Sequence, residues 1–366
     1  MSLVPPQARG PRLRQLGLRI GVYEAGPADA VTDVRGITVG HVTVWRDEPD
    51  PPAGRGVART GVTAIVPGAP ESLLGTPVPA GSAVLNGAGE LTGSLQVAEW
   101  GVIETPVYLT STMAVGRVFD GAVAAAVAAD PGVGVEDVVI PIVGECDDSW
   151  LSEARVVQVE ADDAGRAVAV ATGDEVVEGA VGAGTGMICL GWKGGIGTAS
   201  RLVPQAEAAV GVLLLANFGA RRDLRVDGVP VGLLLGARDE PPRQPVGSCI
   251  VVVATDAPLS PAQLARVARR AGLGLGRTGS VAQHGSGEIF LALSTGARRP
   301  RGDPPAAGLP DRALDDLFAA TVEATEEAVL NALWAAPDVT GRGGRRVAGL
   351  PHDEVFELLR AHGRLG

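Results

Sequence analysis

Short apolar runs, bounded on each side by Gly, Pro or Asp, constrain the fold of this chain more than any other feature. They lie at residues 61–67, 105–112, 136–145, 209–219, 248–256 and 288–295. Their length and their content of β-branched and aliphatic residues predict strands. Most of them lack a clean alternation of polar and apolar residues, so both faces of the resulting sheets should be covered. The pattern therefore predicts a layered α/β protein.

Three segments between these runs have the pattern of helices. Residues 114–130 are rich in alanine, and residues 310–336 are amphipathic with acidic residues near the start. The segment 260–274 opens with a capping box from Ser260 to Gln263. We expect helices on both sides of layered sheets. The polar stretches are interpreted as surface loops rather than linkers: 46–56, 220–245 and 297–308.

Composition narrows the possible partners. Hydrophobic residues make up 46 % of the 366 residues and 52 residues are glycine, a mixture typical of a tightly packed α/β protein. The net charge of −11 argues against nucleic acid or an anionic membrane as a partner. Residues 1–20 contain arginine and proline where a signal peptide needs an apolar segment. We therefore expect a soluble cytoplasmic protein.

The cysteines and histidines form no recognisable metal or disulfide pattern. The three cysteines have no CxxC spacing: Cys146, Cys189 and Cys249. The four histidines form no HxxxH pair: His41, His284, His352 and His362. The odd number of cysteines and these spacings argue against a disulfide framework and against a zinc site, so we expect no metal.

Three glycine clusters invite a nucleotide-binding interpretation, and their context argues against it. The segment 274–279 matches GxGxxG but follows a helix, whereas the dinucleotide fingerprint follows a strand and opens a helix. The clusters at 182–186 and 191–198 lack the order of a phosphate-binding loop, since Lys193 is followed by Gly194 rather than by Ser or Thr. Turns and close backbone packing explain these clusters better.

A Gly-Ser pair stands where the polar run ending at Gly247 meets the apolar run beginning at Ser248. One interpretation is a tight turn entering a buried strand, because glycine tolerates backbone angles that other residues avoid. The other is that the bond between the two residues is cut, which would make Ser248 a nucleophile that carries its own amine as a base. The pair taken alone favours the turn.

Polar residues of catalytic type lie at the ends of other apolar runs. Ser286 and Glu288 alternate just before one run, so their side chains should share a face. Asn217 ends another run. It is interpreted either as a turn residue or as a side-chain amide that donates to an oxyanion. The acids within 145–148 follow a third run. They are interpreted either as part of an exposed loop or as a site for a cationic group.

A histidine-based triad is not available to activate a serine at these positions, since His284 is the only histidine near them. A free N-terminal serine removes the need for one, because an α-amine has a pKa of about 7.7–8.0 and is partly neutral near pH 7. A nucleophilic Ser248 therefore requires cleavage before it.

Eight segments, taken in order, resemble one family of enzymes. They are residues 33–44, 59–67, 86–93, 99–116, 182–201, 210–219, 247–259 and 277–295. In these segments the chain is similar to the L-aminopeptidase/D-esterase and β-aminopeptidase family of self-cleaving serine hydrolases. The resemblance extends over nearly the whole chain, from about residue 30 to about residue 360.

The resemblance implies a fold and a maturation. Members of this family have an αββα four-layer sandwich like that of N-terminal-nucleophile hydrolases, with a different strand connectivity. On this pattern the chain is one domain over residues 1–366, made as a zymogen that cuts itself between Gly247 and Ser248. The products would be an α subunit, residues 1–247, and a β subunit, residues 248–366. They would form a heterodimer and assemble into homotetramers or larger oligomers.

The resemblance also implies roles for individual residues. Ser248 matches the nucleophile, and Ser286 and Glu288 match the hydroxyl and the carboxylate that contact the new N-terminus. Asn217 matches the oxyanion donor, and Glu145 matches the acid that binds the free ammonium group of the substrate. The implied chemistry uses no metal and no cofactor.

The implied activity is that of an aminopeptidase acting on short peptides, amides or esters of L-, D- or β-amino acids with a free amine. The chain departs from the family at Cys146-Asp147-Asp148, where some members have a tyrosine, and this bears on substrate preference. Two alternatives stay open. One is an amidase of the same family acting on linear amides such as aminohexanoate oligomers, and the other is a binding protein that has lost catalysis.

Overall fold

The computed structural model describes residues 12–236 and 247–365. In this part of the chain the α-helices are α1 (Ser94–Trp100), α2 (Val115–Ala129), α3 (Asp162–Ala169), α4 (Val231–Leu235), α5 (Pro261–Thr278), α6 (Leu314–Ala335) and α7 (His352–Ala361). The strands are β1 (Ile37–Asp47), β2 (Val57–Pro67), β3 (Val78–Gly87), β4 (Val102–Ile103), β5 (Val107–Ser111), β6 (Ile142–Cys146), β7 (Ile188–Cys189), β8 (Trp192–Lys193), β9 (Gly195–Val203), β10 (Ala208–Asn217), β11 (Ser248–Thr255), β12 (Gly287–Ser294), β13 (Val339–Thr340) and β14 (Arg346–Val347). Two predictions fall partly outside the described residues, namely the N-terminal segment 1–20 and the loop 220–245.

Two large sheets form the centre of the fold. One has four strands in the order β1-β2-β5-β6, and the other has six in the order β4-β3-β12-β11-β10-β9. Neighbouring strands in these sheets run antiparallel, except that β5 is parallel to β6 and β11 is parallel to β12. The short strands form two separate pairs, β7 with β8 and β13 with β14.

The two sheets face each other across an apolar core. Leu109 and Ile142 of the four-stranded sheet share this core with Leu215, Ile250 and Leu291 of the six-stranded sheet. A second core lies between the six-stranded sheet and helices α5 and α6, and a third lies between the four-stranded sheet and helices α2 and α3. The layers are thus helix, sheet, sheet and helix, which confirms the predicted αββα sandwich.

Strand β9, at one edge of the six-stranded sheet, is a long strand that sequence periodicity did not predict. Its sequence, GIGTASRLV, is rich in small residues and poor in the β-branched and aromatic residues that mark a strand. The structure explains this composition at Gly197, where a Cβ atom would lie 1.9 Å from the backbone oxygen of Ala328 in α6. Small residues therefore let the long helix lie directly against the sheet.

Several other predictions differ from the structure in their bounds. The strand predicted at 136–145 begins only at Ile142, because the residues before it are mostly exposed and join no sheet. The helix predicted at 260–274 continues to Thr278 and begins with the predicted cap, in which the Ser260 hydroxyl accepts a hydrogen bond from the Gln263 N–H. The stretch 220–245, predicted as a loop, contains the short helix α4.

One segment of the described residues, Thr112–Ala129, is long and apolar enough to cross a membrane by length and composition alone. It comprises α2 and the turn before it. Val118 and Ala122 of this helix are buried in the core against the four-stranded sheet. A single such helix that also packs on a sheet is weak evidence for a membrane span.

The strand directions place the predicted catalytic residues at one edge of the six-stranded sheet. The end of β10 meets the start of β11, because these strands are antiparallel, and the start of β12 lies beside the start of β11, because these are parallel. The end of β3 meets the start of β12 in the same way. Four strand ends therefore converge on one place.

Candidate active site

Ser248 and Asn217 lie directly opposite each other on β11 and β10. Both side chains are buried among the surrounding strands. The Ser248 Oγ accepts a hydrogen bond from the Gly287 N–H at 3.2 Å. A serine hydroxyl and a side-chain amide, predicted separately from the ends of two apolar runs, are thus brought together by strand pairing.

Gly247 is tightly enclosed at the entry to β11. A Cβ atom at this position would lie 1.5 Å from the backbone oxygen of Asn217 and 2.5 Å from its carbonyl carbon. These distances are far below any real contact between such atoms, so a side chain here would displace the β10 backbone. The structure thereby gives a steric reason for the glycine before Ser248.

The amide of Asn217 is held at both of its ends. Its Oδ1 accepts a hydrogen bond from the Ile188 N–H at 2.8 Å, and its Nδ2 donates one to the Asp147 backbone oxygen at 3.0 Å. An amide nitrogen carries two hydrogens, so one N–H remains available for a further acceptor. A fixed donor beside a serine hydroxyl is the arrangement that stabilises an oxyanion.

Lys193, the chain's single lysine, lies behind this amide and is fully buried. Its Nζ donates hydrogen bonds to three backbone oxygens: Gly184 at 2.9 Å, Met187 at 2.7 Å and Gly194 at 2.6 Å. Burial lowers the pKa of Lys193 to about 7. The Met187 carbonyl belongs to the same peptide group as the Ile188 N–H that holds Asn217. The sequence argued against Lys193 as a phosphate-loop lysine and predicted no role for it at the site, although it is the single lysine among some thirty basic residues.

Ser286 and Glu288 contact each other at the start of β12, as their alternation predicted. The Ser286 hydroxyl donates a hydrogen bond to Oε1 of Glu288. The carboxylate is completely buried, and its Oε2 has no hydrogen-bond partner among the described residues. Burial raises the pKa of Glu288, while the hydroxyl of Ser286 acts in the opposite direction. Because Glu288 lies opposite Cys249, the carboxylate is next to the start of β11.

Asn86 is a neighbour of this carboxylate that the sequence analysis did not single out. It lies on β3 opposite Glu288, and its Nδ2 donates a hydrogen bond to the Gln283 backbone oxygen at 2.8 Å. The proximity of its amide favours the charged form of Glu288 and so lowers the pKa, although no well-formed hydrogen bond joins the two side chains. Only the strand pairing of the folded chain could reveal this neighbour.

Glu145 reaches the same place from β6 of the other sheet. Its Oε1 accepts a hydrogen bond from the Glu90 N–H at 2.9 Å, and the Thr112 hydroxyl donates one to its Oε2. A Cβ atom on Gly89 would lie 3.1 Å from that Oε1 and 3.6 Å from the Gly287 Cα, so the carboxylate lies close to the start of β12.

The Glu145 carboxylate has no charged partner of opposite sign. It is 3 % exposed, and burial raises its pKa. No arginine or lysine among the described residues forms an ion pair with it. An ionised carboxylate buried without a cation is costly, so the site favours a cationic ligand.

The three residues after Glu145 have separate roles in the fold. Cys146 is buried and its Sγ lies 3.7 Å from the Leu215 backbone oxygen, while Asp147 holds Asn217 through its own backbone oxygen. Asp148 is 2 % exposed and accepts a hydrogen bond from the Ser111 hydroxyl at 2.8 Å. Burial raises the pKa of Asp148 to about 7. The interpretation of all these acids as an exposed loop is therefore wrong for Glu145 and Asp148.

A metal has no evident place in this arrangement. Within residues 12–236 and 247–365, no group of three or more His, Cys, Asp or Glu side chains is arranged to hold an ion. The three cysteines are all free and buried. What the site offers instead is a serine hydroxyl, a fixed amide donor, a buried carboxylate next to the start of β11 and a second buried carboxylate without a cation.

Comparisons with known proteins show the family to which the chain is similar. Residues 29–347 match Peptidase family S58. The Beta-peptidyl aminopeptidase BapA of Sphingosinicella microcystinivorans is 40 % identical over 379 residues, covering 98 % of this chain and 94 % of that protein. The resemblance noted in the sequence is thereby confirmed.

Two solved structures are similar over almost the whole chain. The Burkholderia sp. beta-aminopeptidase is 40 % identical with a TM-score of 0.88, covering 96 % of this chain and 99 % of that one. The L-aminopeptidase D-ala-esterase/amidase of Ochrobactrum anthropi is 38 % identical with a TM-score of 0.90, covering 98 % and 100 %. The latter is described as a prototype for the serine aminopeptidases and a new variant among the Ntn hydrolase fold.

Proposed function

The chain belongs to peptidase family S58, and on that premise we propose that it is a self-processing aminopeptidase whose nucleophile is an N-terminal Ser248. The observation that carries the proposal is the surroundings of Ser248. A glycine that no larger residue could replace precedes it, and a buried carboxylate with one unpartnered oxygen lies beside it.

The first step of the proposal is cleavage of the precursor. The Ser248 Oγ attacks the Gly247 carbonyl carbon, the C–N bond breaks, and the nitrogen takes the proton, which leaves an ester and a free α-amine. Water then hydrolyses the ester, so that one fragment ends in the Gly247 carboxylate and the other begins with Ser248. The absence of a side chain at Gly247 supports this step, because only glycine lets the peptide bond before Ser248 lie directly against the Asn217 backbone of β10.

The second step uses the amine that cleavage has released. The Oε2 of Glu288 is buried without a partner, and an α-ammonium at Ser248 would supply one. In its neutral form the amine accepts the proton of the Ser248 hydroxyl as this attacks the substrate carbonyl, and it returns the proton to the leaving group. The free N–H of Asn217 stabilises the oxyanion formed in between.

Glu145 supports the assignment to aminopeptidases rather than endopeptidases. A substrate ammonium would pair with this buried carboxylate, which has no cation of its own among the described residues. We propose short peptides, amides or esters with a free N-terminal amine as substrates, in line with the aminopeptidase names of the relatives. An α/β heterodimer assembled into a homotetramer or larger, working in the cytoplasm, remains a prediction from the sequence.

Mass spectrometry and N-terminal sequencing of the purified protein test this proposal. The wild type should separate under denaturing conditions into fragments of about 25 and 12 kDa, in proportion to their share of the 37.1 kDa chain, and the smaller should begin Ser-Cys-Ile-Val. Ser248→Ala should remain a single inactive chain, because it lacks the nucleophile for both steps. Ser72→Ala, which removes a hydroxyl outside the site, should be cut like the wild type.

Two results would contradict the proposal. An active enzyme that remains a single chain would exclude the mechanism, because an amide-bound Ser248 has no amine to serve as a base. A chain that is cut as expected but hydrolyses no peptide, amide or ester would favour the inactive binding protein instead.

A further inference from the structure

A cavity separate from the active site lies where α2 and α3 pack against β5. Its volume is about 340 Å³, at the lower end of the range for small-molecule sites. Ala125, Ala126 and Ala129 of α2 and Val168 of α3 line its apolar walls. The cavity is on the outer face of the four-stranded sheet, in the layer formed by helices, whereas Ser248 is at the edge of the six-stranded sheet.

Tyr108 gives this cavity a polar group without a partner. Its side chain is 1 % exposed and lines the cavity from β5. Its hydroxyl forms no hydrogen bond with any residue in the described part of the chain, but the oxygen is not fully enclosed, so solvent in the cavity reaches it. Burial raises the pKa of this hydroxyl. A hydroxyl that faces a cavity without a protein partner is free to hydrogen-bond to water or to a ligand that enters the cavity.

The charges around the cavity indicate the sign of that partner. Glu71, Glu104 and Asp130 line it, and no arginine or lysine does. Glu104 is engaged, since it contacts Arg301 and accepts a hydrogen bond from the Gln96 amide. Glu71 and Asp130 form no ion pair with any described residue, although one carboxylate oxygen of Asp130 accepts a hydrogen bond from the Gly132 N–H at 2.8 Å. The electrostatic complement of this site is a cation.

We propose that this cavity binds a small organic amine with an aromatic or branched aliphatic body. The body lies between the alanines of α2 and Val168, and the ammonium group faces Asp130 and Glu71. A second polar atom of the ligand, a hydroxyl for example, pairs with the Tyr108 hydroxyl. This inference does not depend on the proposed peptidase mechanism, because none of its residues belongs to the catalytic site.

Tyramine is a suitable probe, with 2-phenylethylamine as its comparator lacking the hydroxyl. Titration calorimetry on the Ser248→Ala protein would measure binding without turnover, whether or not self-cleavage occurs. Tyramine should bind in a saturable manner and more tightly than 2-phenylethylamine. Tyr108→Phe should abolish this preference, because the hydroxyl that distinguishes the two ligands loses its partner.

Two further variants locate the binding. Ala126→Phe should fill the cavity and weaken the binding of both amines at least tenfold. When the same substitution is made in the protein that retains Ser248, peptide hydrolysis should not change. Asp130→Asn should weaken binding of both amines without removing the preference for tyramine. It serves as the test of position if Ala126→Phe does not fold.

Three outcomes would overturn the proposal. The first is no saturable binding to the parent protein, which would mean that water alone partners Tyr108. The second is binding that Glu145→Gln abolishes but Ala126→Phe and Asp130→Asn leave unchanged, which would place the amine in the catalytic site. The third is an undiminished preference for tyramine in Tyr108→Phe.

Discussion

Two groups of buried charges border the six-stranded sheet, and they differ in how the charges are paired. The catalytic edge holds the carboxylates of Glu288 and Glu145, and neither has a cationic partner among the described residues. The other group, termed here the arginine cluster, joins the N-terminal segment to β9 and α6. It consists of Arg12, Arg14, Arg201, Asp29, Glu178, Glu323 and Glu327.

The arginine cluster compensates its charges internally. Arg201 is fully buried and forms ion pairs with Glu327 at 2.5 Å and Glu323 at 3.3 Å. Burial and the neighbouring Glu327 raise the pKa of Asp29 to about 7. Arg201 and Arg14 lower the pKa of Glu327, against the effect of its burial. Each carboxylate of the cluster thus has at least one arginine partner, and removing one partner of such a buried pair is strongly destabilising.

The contrast separates structure from function within one sheet. A buried charge that is already paired within the chain does not require a further partner. A buried charge without such a partner can bind an opposite charge that cleavage or a substrate supplies. At the catalytic edge the later charges would be the α-ammonium of Ser248 and the ammonium of a substrate. Removing a charge should therefore reduce activity at one group and stability at the other.

Glu288→Gln should have the largest effect, and it should fall on activity. The glutamine cannot pair with an α-ammonium at Ser248, so we expect kcat/KM to fall by roughly 10²–10⁴-fold per cleaved chain. In the uncut Ser248→Ala chain the melting temperature should stay the same or rise, because there the buried carboxylate has no α-ammonium to pair with. Kinetics and calorimetry measure the two quantities. Glu99→Gln, at an exposed position, is the control, and a large loss of stability with normal activity would invert the comparison.

Arg201→Met should have the opposite profile. Removing Arg201 leaves Glu323 buried without a cation and Glu327 with Arg14 alone, and the loss of one partner of a buried pair typically costs roughly 3–5 kcal/mol of unfolding free energy. Denaturant unfolding measures this, and activity per folded molecule should not change. The matched control is Arg19→Met, which breaks an exposed pair with Glu24 and should hardly affect stability. Equal effects of the two substitutions would contradict the assigned role of the cluster.

Asp148→Asn should have the smallest effect, visible as a change in pH dependence. Burial raises the pKa of Asp148 from 3.8 to about 7, so between these values the folded state holds a proton that the unfolded state has lost. Its contribution to stability is complete below the lower value and is lost as the pH rises through the higher one.

The side-chain amide of the Asp148→Asn variant does not titrate, so its contribution to stability does not depend on pH. From pH 5 to pH 8 the variant should therefore gain roughly 2–3 kcal/mol of unfolding free energy relative to the wild type. Denaturant unfolding at both pH values measures the difference, with the exposed Asp303→Asn as control. A difference between variant and wild type that does not change with pH would show that the carboxyl does not titrate in this range.

Much of this architecture could be predicted from the sequence because apolar runs and caps are local signals. The strand starting at Ser248 and the cap at Ser260 are examples of features that depend on neighbouring residues alone. Strand β9 could not be predicted in this way. Its small residues reflect contact with α6, which is more than a hundred positions away in the sequence.

The residues of the candidate site likewise divide into those that local sequence could predict and those that depend on distant contacts. The alternation of Ser286 and Glu288 is local, and it correctly placed their side chains together. Lys193 and Asn86 acquire their significance only through strand pairing and a buried turn, so periodicity gives no indication of them. The burial of Asp148 was likewise invisible, because an acid after a strand usually faces water.

The order of strands in the six-stranded sheet has a consequence for the two products of cleavage. After a cut before Ser248, β11 and β12 would belong to the shorter chain, while β3 on one side and β10 on the other would belong to the longer one. The shorter chain would thus be interleaved within a sheet that the longer chain borders on both flanks. Its release would break two strand interfaces at once and open both neighbouring cores. The two polypeptides would therefore behave as one topological unit, with subunit exchange as slow as global unfolding.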